Sequence, residues 1–193
     1  MLPTLIELRG PYHWFGQYDN VLFSAPEMMQ AGVYLWTVPR GNQYLTYYVG
    51  ETGRSFFARF TEHSRNYLSG LYRVYDPDCF AVGDKVLVWE GMWKSGTQNQ
   101  MGVFLNRFAD LAPVILRFLR LFRLFLIPLD TDIRGRQRLE AAIANYLYRQ
   151  DGLIGVFQDP DIQYRPRRKD EMPIQCRLQG SSLVCGLSDE LAI

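Results

Sequence analysis

Hydrophobic residues first follow a regular pattern after residue 30, where strand-like segments lie on both sides of a turn. Residues 32–38 and 43–50 are rich in β-branched and aromatic side chains, and the residues between them read Pro-Arg-Gly-Asn. β-branched and aromatic side chains favour strands, while proline, glycine and asparagine favour turns. The pattern therefore predicts an antiparallel hairpin.

The residues that follow the hairpin change to helical spacing. Phe56, Phe60 and Tyr67 recur at intervals that place them on one face of a helix, and Thr52 or Ser55 can supply its N-terminal cap. We therefore expect a helix directly after the second strand.

Further along, strand and helix patterns alternate as far as residue 150. They predict, in order, a strand at 84–91, a helix at 98–119 that breaks near Pro113, a strand at 122–130 and a helix at 132–150. The remainder, from Asp151, has no clear pattern. This order of elements predicts a mixed α+β fold. The domain is expected at residues 30–160, after an extension at 1–29 that packs on it and before a basic C-terminal tail at 161–193.

The composition is that of a globular protein in a reducing compartment. Of the 193 residues 48% are hydrophobic, and 21 Lys and Arg nearly balance 20 Asp and Glu. Cys79, Cys176 and Cys185 have neither disulfide-framework nor zinc spacing, which favours the cytoplasm. The most apolar stretch, residues 111–129, carries three arginines, so no membrane span is expected.

Five side chains in these elements suit the hydrolysis of a phosphodiester. Tyr34 and Tyr48 lie on the paired strands, and Glu140 lies on a later helix. Arg59 and His63 are four residues apart and share one helix face. Arginine binds phosphate oxygens, tyrosine or histidine can accept a proton from water, and a carboxylate can hold a hard divalent cation. Each residue alone also has an ordinary structural explanation.

The same residues form a pattern that resembles the GIY-YIG nuclease superfamily. Gly32-Val33-Tyr34 matches the first triplet of that superfamily and Tyr48-Val49-Gly50 the second, both on a strand hairpin. Arg59 and His63 match its helical arginine and the histidine that many branches carry four residues later. Glu140, within Arg-Leu-Glu-Ala-Ala-Ile, matches its metal ligand.

The resemblance covers about residues 32–149 and includes an insertion around residues 72–132. It implies a small GIY-YIG-like α+β domain, in which helices flank a central antiparallel or mixed sheet of three core strands. It also implies one-step, Mg²⁺- or Mn²⁺-dependent cleavage of DNA, with RNA not excluded. Double-strand cleavage would need a homodimer or a second nick, because one site cuts one strand.

The resemblance further implies a role for each of the five side chains. Tyr34 would activate water as a general base with help from His63, which requires a pKa below the usual value of about 10 for its phenol. Tyr48 would position the phosphate or assist proton movement, and Arg59 would stabilise the charge that develops on the phosphate. Glu140 would bind the metal ion.

Two positions depart from the superfamily pattern. The asparagine that many members carry beyond the glutamate has no counterpart here, and Asp151 or Gln158 could substitute for it. Glu51 follows the second triplet, where some members have lysine or serine. We expect Glu51 to point away from the phosphate or to contact Arg54.

The candidate nucleic-acid contacts lie beside the site and in the basic tail: Gly50, Arg54, Arg136, Arg138, Arg167 and Arg168. An arginine series is usually a solvated face, but here it flanks the expected metal ligand. The alternative function is a catalytically inactive nucleic-acid-binding or protein-interaction module on the same fold. The missing asparagine favours that alternative, and the retention of all five site residues counts against it.

Overall fold

The computed structural model describes residues 4–93, 96–97 and 99–193 of the chain, which adopt an α+β fold. Residues 1–3 of the N-terminal extension and residue 98, at the start of a predicted helix, lie outside the described residues. In chain order the described strands are Thr4–Glu7 (β1), Arg9–His13 (β2), Gly32–Arg40 (β3), Gln43–Thr52 (β4), Val74–Tyr75 (β5), Leu87–Trp89 (β6), Arg123–Pro128 (β7), Gln175–Gln179 (β8) and Glu190–Ala192 (β9). The described α-helices are Phe56–Leu68 (α1), Pro77–Val82 (α2), Met101–Asn106 (α3), Phe108–Leu121 (α4), Ile133–Tyr148 (α5) and Leu153–Phe157 (α6).

The central sheet is antiparallel throughout and has the strand order β2-β7-β3-β4. The predicted hairpin is confirmed as β3 and β4, with Tyr34 opposite Gly50 and Trp36 opposite Tyr48. The strand predicted at 122–130 is confirmed as β7, which pairs with β3. Because β7 lies within residues 72–132, the range expected as an insertion supplies an interior strand of the sheet.

The sheet has four strands and not the three expected, because the N-terminal extension adds β2 beside β7. Trp14 follows β2 and is 1% exposed, with its ring centroid 5.0 Å from that of Trp36. The sequence Arg-Gly-Pro-Tyr-His lacks the alternation of a half-buried strand, so local pattern does not reveal β2. The extension is therefore part of the core.

The segment predicted as a strand at 84–91 does not join the central sheet. It forms the short β6, which pairs with β5 in a separate two-stranded sheet. Strand propensity predicts extended backbone but does not specify its partner.

The two faces of the central sheet bury alternate residues of β3, as strand geometry requires. Val33 and Leu35 belong to one cluster of buried side chains, which includes Leu139 and Ile143 of α5. Tyr34 belongs to the other cluster, which includes the buried phenylalanines of α1. The side chain of Tyr34, in the first triplet, is therefore directed toward α1.

The helices predicted after the hairpin and at 132–150 are confirmed as α1 and α5. The Ser55 hydroxyl caps α1 by accepting a hydrogen bond from the Ala58 backbone N–H at 3.2 Å. Within the described residues, no helix combines the length and the apolar character needed to cross a membrane.

The predicted helix at 98–119 breaks at Arg107 and not near Pro113. Helix α4 continues through the proline and buries Leu111, Ile115 and Phe118. Burial of one such side chain contributes about 1.5–3 kcal/mol, so three together outweigh the cost of about 3 kcal/mol for an interior proline.

The C-terminal segment is ordered into structure that its sequence pattern does not predict. Strands β8 and β9 form a mixed sheet with β1. The same part of the chain covers the outer edge of β4, where Tyr44 and Tyr47 carbonyls accept hydrogen bonds from the Cys185 and Asp159 N–H groups at 2.9 and 2.8 Å. The Tyr164 hydroxyl donates to the β4 backbone at 3.3 Å.

Replacement of Gly32 by alanine should lower the free energy of unfolding by about 1–3 kcal/mol. A Cβ at this position would lie 2.0 Å from the Ile127 carbonyl oxygen on β7, so the two strands would have to separate. Gly102→Ala on α3 is the matched control, because its Cβ would meet no atom within 4 Å. Urea unfolding followed by circular dichroism measures both variants, and an unchanged midpoint for Gly32→Ala would contradict this packing.

Candidate active site

Tyr34, Arg59 and His63 form one hydrogen-bonded cluster between β3 and α1. The Tyr34 hydroxyl lies 2.9 Å from His63 Nε2, and Arg59 Nε donates to the same hydroxyl at 3.0 Å. The spacing of four residues puts both α1 side chains on the face that meets the strand. Three of the five candidate residues therefore meet at one hydroxyl group.

His63 is held in its neutral form. It is 2% exposed, and this burial, together with the charges of Arg59 and Arg54, holds its pKa well below its usual range. Arg59 already donates to the Tyr34 oxygen, so the Tyr34 proton can point to Nε2 of the ring. Nδ1–H then donates to the Tyr72 hydroxyl at 3.1 Å, which extends the hydrogen-bonded chain to a second phenol.

Tyr72 is a site residue that the sequence does not single out. It lies after α1 in a loop without a repeating pattern, and only the fold brings it against the second nitrogen of His63. No local signal in the sequence marks this contact.

The lowered pKa that a base role of Tyr34 requires is not found. Burial first, and then Tyr48, raises the pKa of Tyr34 well above 10, and Arg59 offsets only part of this effect. Tyr34 is 0% exposed, so its hydroxyl does not meet solvent. This environment suits a group that relays a proton better than one that takes it directly from water.

A cavity of about 380 Å³ opens beside the cluster, and Tyr48, Arg59 and His63 line it. Tyr48 lies on β4, with its ring centroid 6.0 Å from that of Tyr34. Burial raises the pKa of Tyr48 to about 12, although Arg59 and a hydrogen bond with Tyr34 act in the opposite direction. The Arg59 side chain is 24% exposed, so its guanidinium can reach a bound anion.

Gly50 of the second triplet has a steric role in this arrangement. A Cβ at residue 50 would lie 2.5 Å from Tyr34 Cζ and 2.6 Å from Tyr48 Cε1, which is closer than carbon atoms approach. Residue 50 must therefore be glycine if both tyrosines keep their positions. Gly50 is buried, so packing accounts for it without a ligand, and contact with nucleic acid stays a prediction.

Glu140 lies on α5 and is close enough for its charge to act on Tyr48, but it is not among the described residues that line the cavity. Burial, and next the charge of Glu51, raises the pKa of Glu140 to about 8, while Arg59 and Arg165 act in the opposite direction. The Glu51 backbone also acts to lower the pKa of this carboxyl group. The Glu140 charge also contributes to the raised pKa of Tyr48. All five candidates therefore belong to one electrostatically coupled group.

The Glu51 side chain contacts a different arginine from the one expected. Arg136 Nε donates to Glu51 Oε2 at 3.2 Å, because the end of β4 directs this side chain toward α5. Arg54 instead pairs with Glu62, which also accepts a hydrogen bond from Arg59 Nη1 at 3.2 Å. Of the two alternatives expected for Glu51, the contact with Arg54 is wrong. Arg136 is 9% exposed and also donates to the Thr131 carbonyl, so most of its side chain is engaged within the protein.

The donor set at Glu140 fits a divalent cation held by a single protein carboxylate. In the described part of the chain, no group of three or more His, Cys, Asp or Glu is arranged to bind a metal, and Glu140 forms no salt bridge. Mg²⁺ commonly binds one or two carboxylates and completes its shell with water and substrate phosphates. A half-buried carboxyl group that forms no salt bridge with a described residue, and on which the charge of Arg59 acts, suits that mode.

The C-terminal segment engages Arg138, which corrects its predicted contact with nucleic acid. Arg138 is 9% exposed, and its Nη2 donates to the Met172 and Ile193 carbonyls at 2.6 Å each. A side chain committed to buried carbonyls cannot meet a phosphate without unfolding the segment. Arg167 and Arg168 lie in the exposed part of the same segment, and their contact with nucleic acid stays a prediction.

Neither proposed substitute for the missing asparagine supports Glu140. Asp151 is exposed, and the side-chain amide of Gln158 is buried without a hydrogen-bond partner among the residues that the structure describes.

Comparison of the chain with protein-family models, curated proteins and solved structures finds no match. Its function is therefore inferred from the geometry of the site together with the resemblance of its motifs.

His63→Gln should flatten the pH dependence of stability in the acid range. Folding lowers the pKa of His63, so below about pH 6.5 the unfolded chain binds a proton that the folded protein excludes. This contribution to stability is complete above that pH and is lost as the pH falls. Differential scanning calorimetry should show a smaller drop in melting temperature from pH 7.5 to 5.5 for the variant than for the wild type. Equal drops would contradict a neutral His63.

Proposed function

We propose that this protein is a divalent-metal-dependent endonuclease of the GIY-YIG type that hydrolyses phosphodiester bonds in DNA. One observation carries the proposal. Tyr48, Arg59 and His63 line a single cavity, with Tyr34 hydrogen-bonded behind them and Glu140 coupled to them electrostatically. A general acid–base chain, a phosphate-binding cation and a metal-binding carboxylate are the groups that this reaction needs.

Arg59 would bind the scissile phosphate and stabilise the charge that develops on it. Its Nε donates to Tyr34 and its Nη1 to Glu62, so the guanidinium is fixed before the substrate arrives. A preorganised donor costs no reorientation in the transition state, and loss of one such group typically lowers the rate about 10²–10³-fold.

Proton transfer would follow the hydrogen-bonded chain and would not rest on Tyr34 alone. Tyr48 faces the cavity, and Tyr34 lies between it and the neutral His63. An attacking water would release its proton to the Tyr48 oxygen while Tyr48 passes its own proton to Tyr34 and Tyr34 passes its proton to His63 Nε2. His63 would at the same time give its Nδ1 proton to Tyr72, which lines the cavity and releases its own proton there, so the buried ring stays neutral. Tyr34 is then a relay, so the high pKa caused by its burial does not prevent its function.

A divalent cation bound by Glu140 would polarise the phosphate and lower the pKa of bound water. Glu140 itself must lose its proton to bind the cation. Arg136 pairs with the Glu51 side chain and so limits the repulsion between this second carboxylate and a phosphate.

Local basic side chains would hold the DNA on either side of the site, because the chain as a whole carries a formal charge of only +1. Arg54 lies at the start of α1 with a side chain that is 61% exposed, and Arg167 and Arg168 are exposed in the C-terminal segment. A homodimer would supply the second site that double-strand cleavage requires.

Glu140→Ala and Arg59→Ala should each lower DNA cleavage at least about 10²-fold, and Tyr34→Phe should remove most of it. Glu140→Ala removes the proposed metal ligand, and Arg59→Ala removes the group that donates to the phosphate. Tyr34→Phe removes the hydroxyl that relays the proton. Nicking of supercoiled plasmid with Mg²⁺, Mn²⁺ or EDTA measures these effects. Wild-type activity in Tyr34→Phe would contradict the relay.

Arg65→Ala is the matched control, because Arg65 lies exposed on the same helix and outside the cavity. Circular dichroism of each variant separates lost chemistry from lost folding. DNA binding that is independent of metal, unchanged in Glu140→Ala and accompanied by no cleavage in the wild type would instead support the inactive binding module.

The metal requirement should depend on pH through Glu140. With a pKa of about 8, this carboxyl group holds a proton at pH 7 and releases it when a cation binds. The Mg²⁺ concentration for half-maximal cleavage should therefore fall as the pH rises from 6.5 to 8, by up to about tenfold per pH unit, and then level off. Initial rates in Mg²⁺ titrations at fixed ionic strength measure this, and a requirement independent of pH would contradict the raised pKa.

A further inference from the structure

The cavity beside the proposed catalytic groups has a second wall, of which their hydrogen-bonded chain uses only Tyr72. This wall comes from the residues after α1, after β6 and after α6: Tyr72, Arg73, Trp93, Asp159 and Asp161. The volume of about 380 Å³ falls within the range of about 300–1,000 Å³ that small-molecule sites occupy. The cavity therefore has room for a planar group beyond a phosphate held at Arg59.

Aromatic rings supply the surface on which such a group could stack. Trp93 is 69% exposed at the cavity, and its ring centroid lies 6.0 Å from that of Tyr72. Trp36 and Tyr67 line the interior. Aromatic side chains bind nucleobases by stacking, because every base has a π-face.

The charges of this wall exclude the phosphate backbone from it. Asp159, Asp161 and Glu90 bring three carboxyl groups to the cavity, and Asp161 pairs with Arg73 at 3.0 Å. Asp159 accepts hydrogen bonds from a neighbouring tyrosine hydroxyl at 3.2 Å and from the Asp161 N–H at 3.1 Å, but each carboxylate oxygen can accept a further one. Carboxylates repel phosphate but accept hydrogen bonds from the amino and ring N–H groups of bases. The cavity thus has a cationic end at Arg59 for a phosphate and an acidic, aromatic end for an uncharged, N–H-bearing ring.

We propose that this cavity receives one unstacked nucleobase of the DNA strand, next to the phosphate that lies at Arg59. The inference rests on the proposed function and narrows its substrate to DNA in which a nucleotide is unpaired or is turned out of the duplex. A base inside an intact stack cannot enter, so the enzyme favours sites where unstacking costs least. Trp93 forms the stacking surface at the mouth, and the carboxylates receive the polar edge of the base.

The base pocket is tested by comparing how tightly the protein binds two duplexes that differ only in the presence of one unpaired base. Two fluorescent duplexes are compared by anisotropy in EDTA at one salt concentration: one carries a single unpaired adenosine, the other an abasic residue in the same place. Wild-type protein should bind the adenosine duplex at least about fivefold more tightly, which is the lower limit for one stacked base. Trp93→Ala should bind both duplexes equally, and Trp93→Phe should keep the preference.

Phe57→Ala is the matched control, because Phe57 is an exposed ring on α1 that packs against Phe23 outside the cavity. It should keep the preference in full. Equal wild-type affinities for the two duplexes, or a preference that survives in Trp93→Ala, would overturn the base pocket.

The result is separable from the test of catalysis, since no cleavage occurs in EDTA. Plasmid cleavage without any base preference would contradict the base pocket and support the proposed nuclease activity. Base preference without Mg²⁺-dependent cleavage would support the base pocket and contradict the nuclease activity. Absence of binding to every duplex in EDTA would contradict the base pocket, and the nuclease would still be tested by plasmid cleavage with Mg²⁺.

Discussion

The hydrogen bond between the Tyr34 hydroxyl and His63 Nε2 is the interaction on which the candidate site depends. It joins the middle of β3 to α1 inside a core of aromatic rings, where an unpartnered polar group would cost about 1–3 kcal/mol. Arg59 and Tyr72 complete the hydrogen bonds of the pair. The polar cluster is therefore tolerated at this depth because its members satisfy one another, and their positions relative to each other are fixed.

The sequence predicts those elements whose residues contact other residues close to them along the chain. The β3–β4 hairpin, α1 and α5 follow from local turn residues and periodic apolar positions. Strand β2 does not, because its partner β7 lies more than a hundred residues away and its own sequence lacks alternation. The same limit applies to β8, whose partner β1 lies near the other end of the chain, and to β9, which pairs with β8.

The sequence predicts the candidate site to a similar extent: it indicates contacts set by local spacing and misses those made by distant segments. Arg59 and His63 share a helix face by spacing alone, and the alternation of β3 directs Tyr34 toward them. The hydrogen bonds of Arg138 could not be predicted, because the sequence of α5 does not indicate that the C-terminal segment brings the Met172 and Ile193 carbonyls against this side chain. Nor does composition reveal the pKa of a buried phenol, which depends on how closely the other side chains pack around it.

The outer edge of β4 also has a consequence for how the molecules behave in solution. An open strand edge offers backbone groups to any other strand and is a site of self-association. Here Asp159, Tyr164 and Cys185 donate hydrogen bonds to the carbonyls along this edge. Release of the C-terminal segment would therefore expose the backbone of β4 and promote aggregation, and it would also change the cavity, which Asp159 lines.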